Sequence, residues 1–223
     1  GIAAAQLFGT NRNEEVLMIA SDPTAGHIVL VTRSGVAKRI TTEELVGTRS
    51  GAGVIRLKDD DALVVAFACP DDVDIVIVTG NAAVLRTGVD SISVQGRAAA
   101  GVAGIKLKDN DTVISAGPVD PEVWDGAIVS ITDNAEAKAT PFDELPVKGR
   151  ATGGVRLTKL RPGAKLKSAY IGSIEALWVV MSTDADPTKL DPTPVPFAIE
   201  PTRRDLVSAG TDRQILAVGP IRW

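Results

Sequence analysis

Three arginines, Arg49, Arg97 and Arg150, stand inside glycine-rich turns, and each is followed a few residues later by further basic side chains. Downstream of the first two, Ile55-Arg56-Leu57-Lys58 and Ile105-Lys106-Leu107-Lys108 alternate apolar and basic residues. On an extended strand a period of two sends the apolar pair inward and the basic pair outward. The segments Thr48 to Lys58, Gln95 to Lys108 and Lys148 to Lys159 contain no Asp or Glu. Guanidinium and ammonium groups repeated along an acid-free edge neutralise phosphates, so these types and spacings support contact with a polyanionic backbone rather than bond-breaking chemistry. The candidate contacts are Arg33, Lys38, Arg39, Arg49, Arg56, Lys58, Arg86, Arg97, Lys106, Lys108, Lys148, Arg150, Arg156 and Lys159.

The charge balance runs the other way overall, with 24 Lys and Arg against 28 Asp and Glu, a formal net charge of -4. The acids, however, gather in other turns: Asp59 to Asp61, Asp71 to Asp74, Asp109 to Asp111, Asp120 to Asp125 and Asp184 to Asp191. A net negative chain can therefore carry a positive stripe. The paired acidic turns lack the Gly and terminal Glu of a calcium loop and read as hairpin turn residues.

Other chemistry is poorly supplied. The one histidine, His27, follows Gly26 in a turn, so neither a Ser-His-Asp arrangement nor a His-rich metal site can be assembled. No phosphate-cradling glycine motif is present, and no nucleotide, metal or other cofactor is expected in this domain. The one cysteine, Cys69, lies in the apolar run Val64 to Cys69 and reads as a buried inert thiol in a reducing compartment. Tyr170 and the tryptophans Trp124, Trp178 and Trp223 are assigned to packing. No apolar run is long enough for a membrane helix and no signal peptide is recognised, so a cytoplasmic location is expected, with no membrane partner.

The elements that must position the basic residues are short strands. Val, Ile, Ala, Gly and Asp are plentiful and aromatics are only 4% of the chain, which fits many strands joined by tight turns. GAGVIRLKDDDALVVA at 51 to 66 recurs as GVAGIKLKDNDTVISA at 101 to 116. Leu7, Leu57, Leu107 and Leu157 place four copies at 50-residue spacing. A second recurrence is Ile28 to Thr32 followed by Arg33-Ser34-Gly35, echoed by Ile75 to Thr79 and Gly80-Asn81-Ala82, with weaker copies at Ala127 to Asn134 and Leu177 to Asp184. These imply one four-stranded unit per repeat: a partial repeat at 1-22, then repeats at 23-72, 73-122, 123-172 and 173-223 within a single domain 1-223. The Pro187 to Pro196 stretch reads as an irregular loop inside the last unit.

The segment Gly96-Arg97-Ala98-Ala99-Ala100-Gly101-Val102-Ala103-Gly104-Ile105-Lys106-Leu107 resembles the motif that recurs in the C-terminal domains of type IIA topoisomerase A subunits, and Ile28 to Arg39 is similar to that family's second signature. The resemblance covers nearly the whole chain. It implies an all-β β-pinwheel, a propeller-like disc of about four to five four-stranded blades that exchange strands, binding duplex DNA around its outer edge. It implies a domain with no catalytic site of its own, which bends or wraps DNA without sequence preference for an ATP-dependent gyrase or topoisomerase IV. The expected partners are double-stranded DNA, the remaining domains of the A subunit, plus the ATPase B subunit, in the nucleoid. The gyrase Gln-Arg-Arg-Gly-Gly-Lys-Gly box is absent. Degenerate versions stand at Gln95, Gly96, Arg97 and Gly101, and at Gly149, Arg150, Gly153 and Gly154, with Ala100 where the family often has Arg. A protein-interaction scaffold with little DNA affinity is the alternative.

Overall fold

In a computed structural model, residues 4–11, 13–18, 26–45, 51–175, 177–181, 195–211 and 213–220 are described. The first hairpin pairs β1 (His27–Thr32) with β2 (Val36–Thr41), and β3 (Leu63–Cys69) returns along the other side of β1. The second unit supplies β4 (Asp74–Thr79), β5 (Ala83–Gly88), the two-residue β6 (Val102–Ala103) and β7 (Val113–Val119). The third supplies β8 (Gly126–Thr132), β9 (Glu136–Pro141), the two-residue β10 (Val155–Arg156) and β11 (Leu166–Ser173). Then come β12 (Leu177–Met181), β13 (Val195–Pro196), β14 (Ala209–Gly210) and β15 (Ile215–Pro220).

These strands form a succession of sheets that exchange edges. β6 leaves its own unit to pair with β2, giving the order β3-β1-β2-β6; β10 likewise completes β10-β5-β4-β7, and β14 completes β11-β8-β9-β14. Among the described residues the last sheet has the order β13-β12-β15, with Pro196 on an edge strand, where a missing N–H is tolerated. The part of the Pro-rich stretch at 187–194 lies outside the described residues. At the start of the chain Ala4–Phe8 forms a short helix, α1, instead of a strand like those of the later copies. Ala, Gln and Leu favour helix.

The central hairpins are buried on both faces. Val29 and Val31 pack with Ile75 and Ile77, while the alternate residues Val76 and Val78 pack with Ile128 and Phe142 of the third unit. Val129 and Ile131 continue the pattern against Leu177 and Val179. A strand sandwiched in this way reads as a continuous aliphatic run, which is why Ile75-Val76-Ile77-Val78 does not alternate. Each such side chain contributes about 1.5–3 kcal/mol on burial.

The hairpin turns share a device. Thr32, Thr79 and Thr132 accept the backbone N–H of Val36, Ala83 and Glu136 on Oγ1 at 3.2, 3.1 and 3.0 Å. The residue just before each of these N–H groups, Gly35, Ala82 or Ala135, is left-handed, with φ of 85°, 59° and 59°. Asp61 and Asp111 each lock a turn from outside, accepting the N–H of Ser34 and Asn81 at 2.9 Å. In the third unit the carboxylate has changed sides: Asp133, in the hairpin turn, accepts the N–H of Lys165 at 3.1 Å. Asp61, Asp111 and Asp133 are thus structural locks, the Asp184 to Asp191 turn lies outside the described residues, and no cluster of metal-ligating residues occurs among the described residues.

The spacing is not uniformly 50. Val29 opposite Arg39, Val76 opposite Arg86 and Val129 opposite Ala139 are equivalent pairs, so successive hairpins step by 47 and then 53 residues. Leu157 is thereby displaced from the Leu107 position: its N–H donates to Ala82, as those of Gly104 and Ile105 do to Gly35.

Candidate nucleic-acid interface

Each exchanged edge strand is preceded by a loop that docks on the previous unit, glycine-rich before β6 and β10 but without glycine at 202–208 before β14. The N–H groups of Gln95, Lys148 and Thr202 donate to the carbonyls of Arg39, Arg86 and Ala139, fixing the start of each loop. Each loop then lies against the basic segment of that unit: Arg56 donates its N–H to Ala99, Lys106 to Thr152 and Lys159 to Leu206, at 3.1, 3.0 and 3.0 Å. Arg56, Lys106 and Lys159 are thus equivalent positions, and all three side chains are exposed.

This register also makes Arg97, Arg150 and Arg204 equivalent, each two residues beyond the docking N–H. Arg150 extends Nη1 to the carbonyl of Ala103 at 3.2 Å, and Arg204 repeats the contact on the corresponding residue Arg156 at 3.3 Å. Arg97 lies 3.7 Å from Glu44. Arg203 and Arg204 are absent from the sequence candidates. The sequence carries no box signal for them, because 202–208 has no glycine and Ser208 stands where Gly101 and Gly154 stand in the other two loops.

Two glycines are required by close approach. Gly101 (φ 90°) and Gly154 (φ 66°) precede the exchanged strands, and a Cβ on either would lie 2.7 Å from the Ala37 carbonyl oxygen or 2.1 Å from that of Val84. Gln95 folds back to accept the N–H of Gly101 at 3.1 Å, and Thr152 Oγ1 donates to Gly149 at 2.9 Å. Gly96, Gly149 and Gly153 have no such backbone crowding.

The remaining candidates divide sharply. Lys58, Lys106, Lys108, Lys148, Arg150, Arg156 and Lys159 are exposed, as are Arg33, Arg56 and Arg97; Arg33 donates to the Asp60 carbonyl. Lys38 is fully buried and Arg39 is 8% exposed. Lys38 Nζ donates to the carbonyls of Val54, Gly96, Arg97 and Ala99 at 2.7–3.1 Å. Burial pulls its pKa down, and Glu44 pushes it up. Arg39 contacts Ile92 and Asp71, and Arg86 bridges Asp74 at 2.8 Å and the Phe142 carbonyl. These three therefore do not point outward: their charge is satisfied inside, where the hairpin's second face is covered by the next loop. Arg49 lies outside the described residues.

Leu57 departs from the expected inward set, being exposed, whereas Ile105 is buried and Leu107 half-buried. His27 opens β1 instead of sitting in a turn and faces Asp71 at 2.5 Å. Burial raises the Cys69 thiol to about 11, consistent with an inert group. Tyr170 packs in the third core, donating its hydroxyl to Ser173, and Trp178 is half-buried. Trp124 is 85% exposed and is not a packing residue of any described core. Trp223 lies outside the described residues.

The family described as DNA gyrase C-terminal domain, beta-propeller, matches residues 26–70, 74–120 and 127–173. Those three segments coincide with the hairpin and returning strand of the first three sheets. The chain belongs to this family. It is similar to the DNA gyrase A subunit of Mycolicibacterium smegmatis, 31% identical over 177 residues that span 77% of this chain and 21% of that protein. It is 32% identical to the DNA gyrase A subunit of Salmonella typhimurium over 80% of this chain and 20% of that protein. The chain thus spans about a fifth of these relatives. Its fold matches the crystal structure of the C-terminal domain of DNA topoisomerase IV, with a TM-score of 0.81 at 22% identity over 99% of this chain and 70% of that one. It also matches a DNA gyrase A C-terminal domain, with a TM-score of 0.77 at 17% identity over 98% and 74% of the two chains. No described helix is long and apolar enough to cross a membrane.

Proposed function

We propose that this chain is a non-catalytic, duplex-DNA-binding module of a type IIA topoisomerase A subunit, which bends or wraps DNA along a basic outer rim. Residues 1-223 would act as one repeat-built domain, working with the other domains of the A subunit, plus the ATPase B subunit, in the nucleoid. The observation that carries this reading is the recurrence of exposed Arg56, Lys106 and Lys159 at equivalent places, each hydrogen-bonded through its backbone to the loop of the next unit. A repeated cation on successive units suits a bent phosphate backbone and carries no base-reading geometry. The side chains proposed to touch phosphate are Arg33, Arg56, Lys58, Arg97, Lys106, Lys108, Lys148, Arg150, Arg156 and Lys159, joined by Arg203 and Arg204; Arg49 is retained from the sequence.

Smooth bending of a 20–30 bp duplex by 40–90° costs on the order of 1–6 kcal/mol, which additional phosphate contacts would offset. With Lys38, Arg39 and Arg86 committed internally, fewer cations remain for DNA, so the wrap is read as modest and salt-sensitive. The test is titration of duplex DNA at several salt concentrations, with ligation-based measurement of bending. Binding that weakens steeply with salt and is insensitive to sequence supports the proposal. A flat salt dependence, or no binding at low salt, would overturn it in favour of a protein-interaction scaffold.

A further inference from the structure

A cleft of about 700 Å³ opens between the ends of the third sheet and the 197–201 segment, with the most exposed aromatic residue of the described chain on its lining. Its apolar wall is made by Val119, Phe142, Ile174, Phe197 and Ile199, with Trp124 beside them. Phe142 is seated by Gly126, where a Cβ would fall 2.5 Å from the ring. An 85% exposed tryptophan beside such a wall leaves a large amphipathic ring in water, and tryptophans in this setting commonly anchor protein contacts.

The charges of this cleft are opposite to those of the proposed DNA rim. Asp120, Asp143, Glu175 and Glu200 line it and are exposed. Asp125 is internally committed, accepting from Ser173 Oγ and the N–H groups of Ile174 and Glu175. Among the described residues the one cation in the lining, Arg86, is paired with Asp74. Phosphate would be repelled here, and a cationic ligand attracted.

We propose that this cleft is a docking site for a protein segment bearing an aliphatic or aromatic anchor flanked by Lys or Arg. The anchor packs on Trp124, Phe142 and Phe197, and the basic flanks meet Asp143, Glu175 and Glu200. The site is independent of DNA binding, because it uses none of the residues assigned to phosphate.

The test uses the whole chain and three fluorescein-labelled peptides of about a dozen residues. The first has central Trp and Leu anchors between Lys and Arg flanks, the second has Glu for every Lys and Arg, and the third has Ser for the anchors. The first is expected to bind with a micromolar Kd, and the other two at least about tenfold more weakly. Trp124→Ala and the double variant Asp143→Lys, Glu200→Lys should each weaken the first peptide by about tenfold or more, with unchanged thermal midpoint and unchanged DNA affinity for Trp124→Ala. Equal binding of the basic and acidic peptides, indifference to Trp124→Ala, or no binding of the first peptide up to about 1 mM overturns the proposal.

Discussion

Lys38 Nζ lies 2.8 Å from the carbonyl oxygen of Gly96, across 58 residues of sequence, and draws the carbonyls of Arg97 and Ala99 onto the same ammonium. The degenerate box loop is thus folded around a lysine from the preceding unit. Lys38→Met keeps most of the side-chain volume but leaves these acceptors without their donor. A loss of about 1–3 kcal/mol is expected, lowering the midpoint by about 2–4 °C per kcal/mol in thermal denaturation. DNA affinity should fall while the salt slope holds, because the loop is loosened without removal of a phosphate-facing cation.

Lys138 occupies the equivalent position two hairpins later, 1% exposed, donating to Leu157 and Leu206. Burial lowers its pKa to about 8, against the opposing pull of Asp205 and Glu144. The unfolded chain keeps the ordinary value near 10.5, so between pH 8 and 10.5 the unfolded state binds more protons than the folded one. This group's contribution to stability therefore rises with pH through that window and is constant below it. The neutral amine retains two N–H donors for two carbonyls. Midpoints of the parent and Lys138→Met, measured from pH 7 to 10.5, should diverge in favour of the parent above pH 8; a constant difference contradicts the assignment.

The hairpins are legible in the sequence because strands packed on both faces must be continuously aliphatic, as in Ile75 to Val78. The acidic turns are legible too, since Asp61 and Asp111 recur where a turn needs an acceptor. Strand exchange cannot be read from residue pattern: β6, β10 and β14 are two residues long, too short to carry a period, and only family resemblance points to it. Lys38 has the pattern of a surface cation because composition does not reveal four converging carbonyls. Arg204 is hidden because the third and fourth repeats drift from 50-residue spacing and its loop has no glycine to mark a box. The assignment of Trp124 to packing fails because the exposure of an aromatic residue depends on what the neighbouring unit leaves uncovered.

Gly154 sits where β10 crosses onto β5, left-handed, with room for no Cβ against the Val84 carbonyl. Gly154→Ala should cost upwards of about 2 kcal/mol through combined clash and φ strain, separating the second sheet from its exchanged edge. Gly149→Ala, at a position with open space, should stay within about 0.5 kcal/mol. Urea unfolding of the two variants distinguishes them, and equal stability would remove the argument for a tightly apposed exchange joint.

Arg86 and Lys106 are both basic, but one is neutralised by Asp74 and the other is exposed, so charge removal should have opposite signatures. Arg86→Gln breaks a half-buried ion pair and a bond to the Phe142 carbonyl, lowering the thermal midpoint. It releases no counterion from DNA, and the slope of log K against log salt should be unchanged. Lys106→Gln with Lys159→Gln should leave the midpoint within about 0.5 kcal/mol of the parent while reducing the slope by about 0.9 for each phosphate no longer neutralised. If Arg86→Gln alters the slope as much as the lysine pair does, the division between internal and phosphate-facing cations is wrong. If neither alters it, the exposed lysines are ordinary solvated surface and the proposed rim is not where DNA lies.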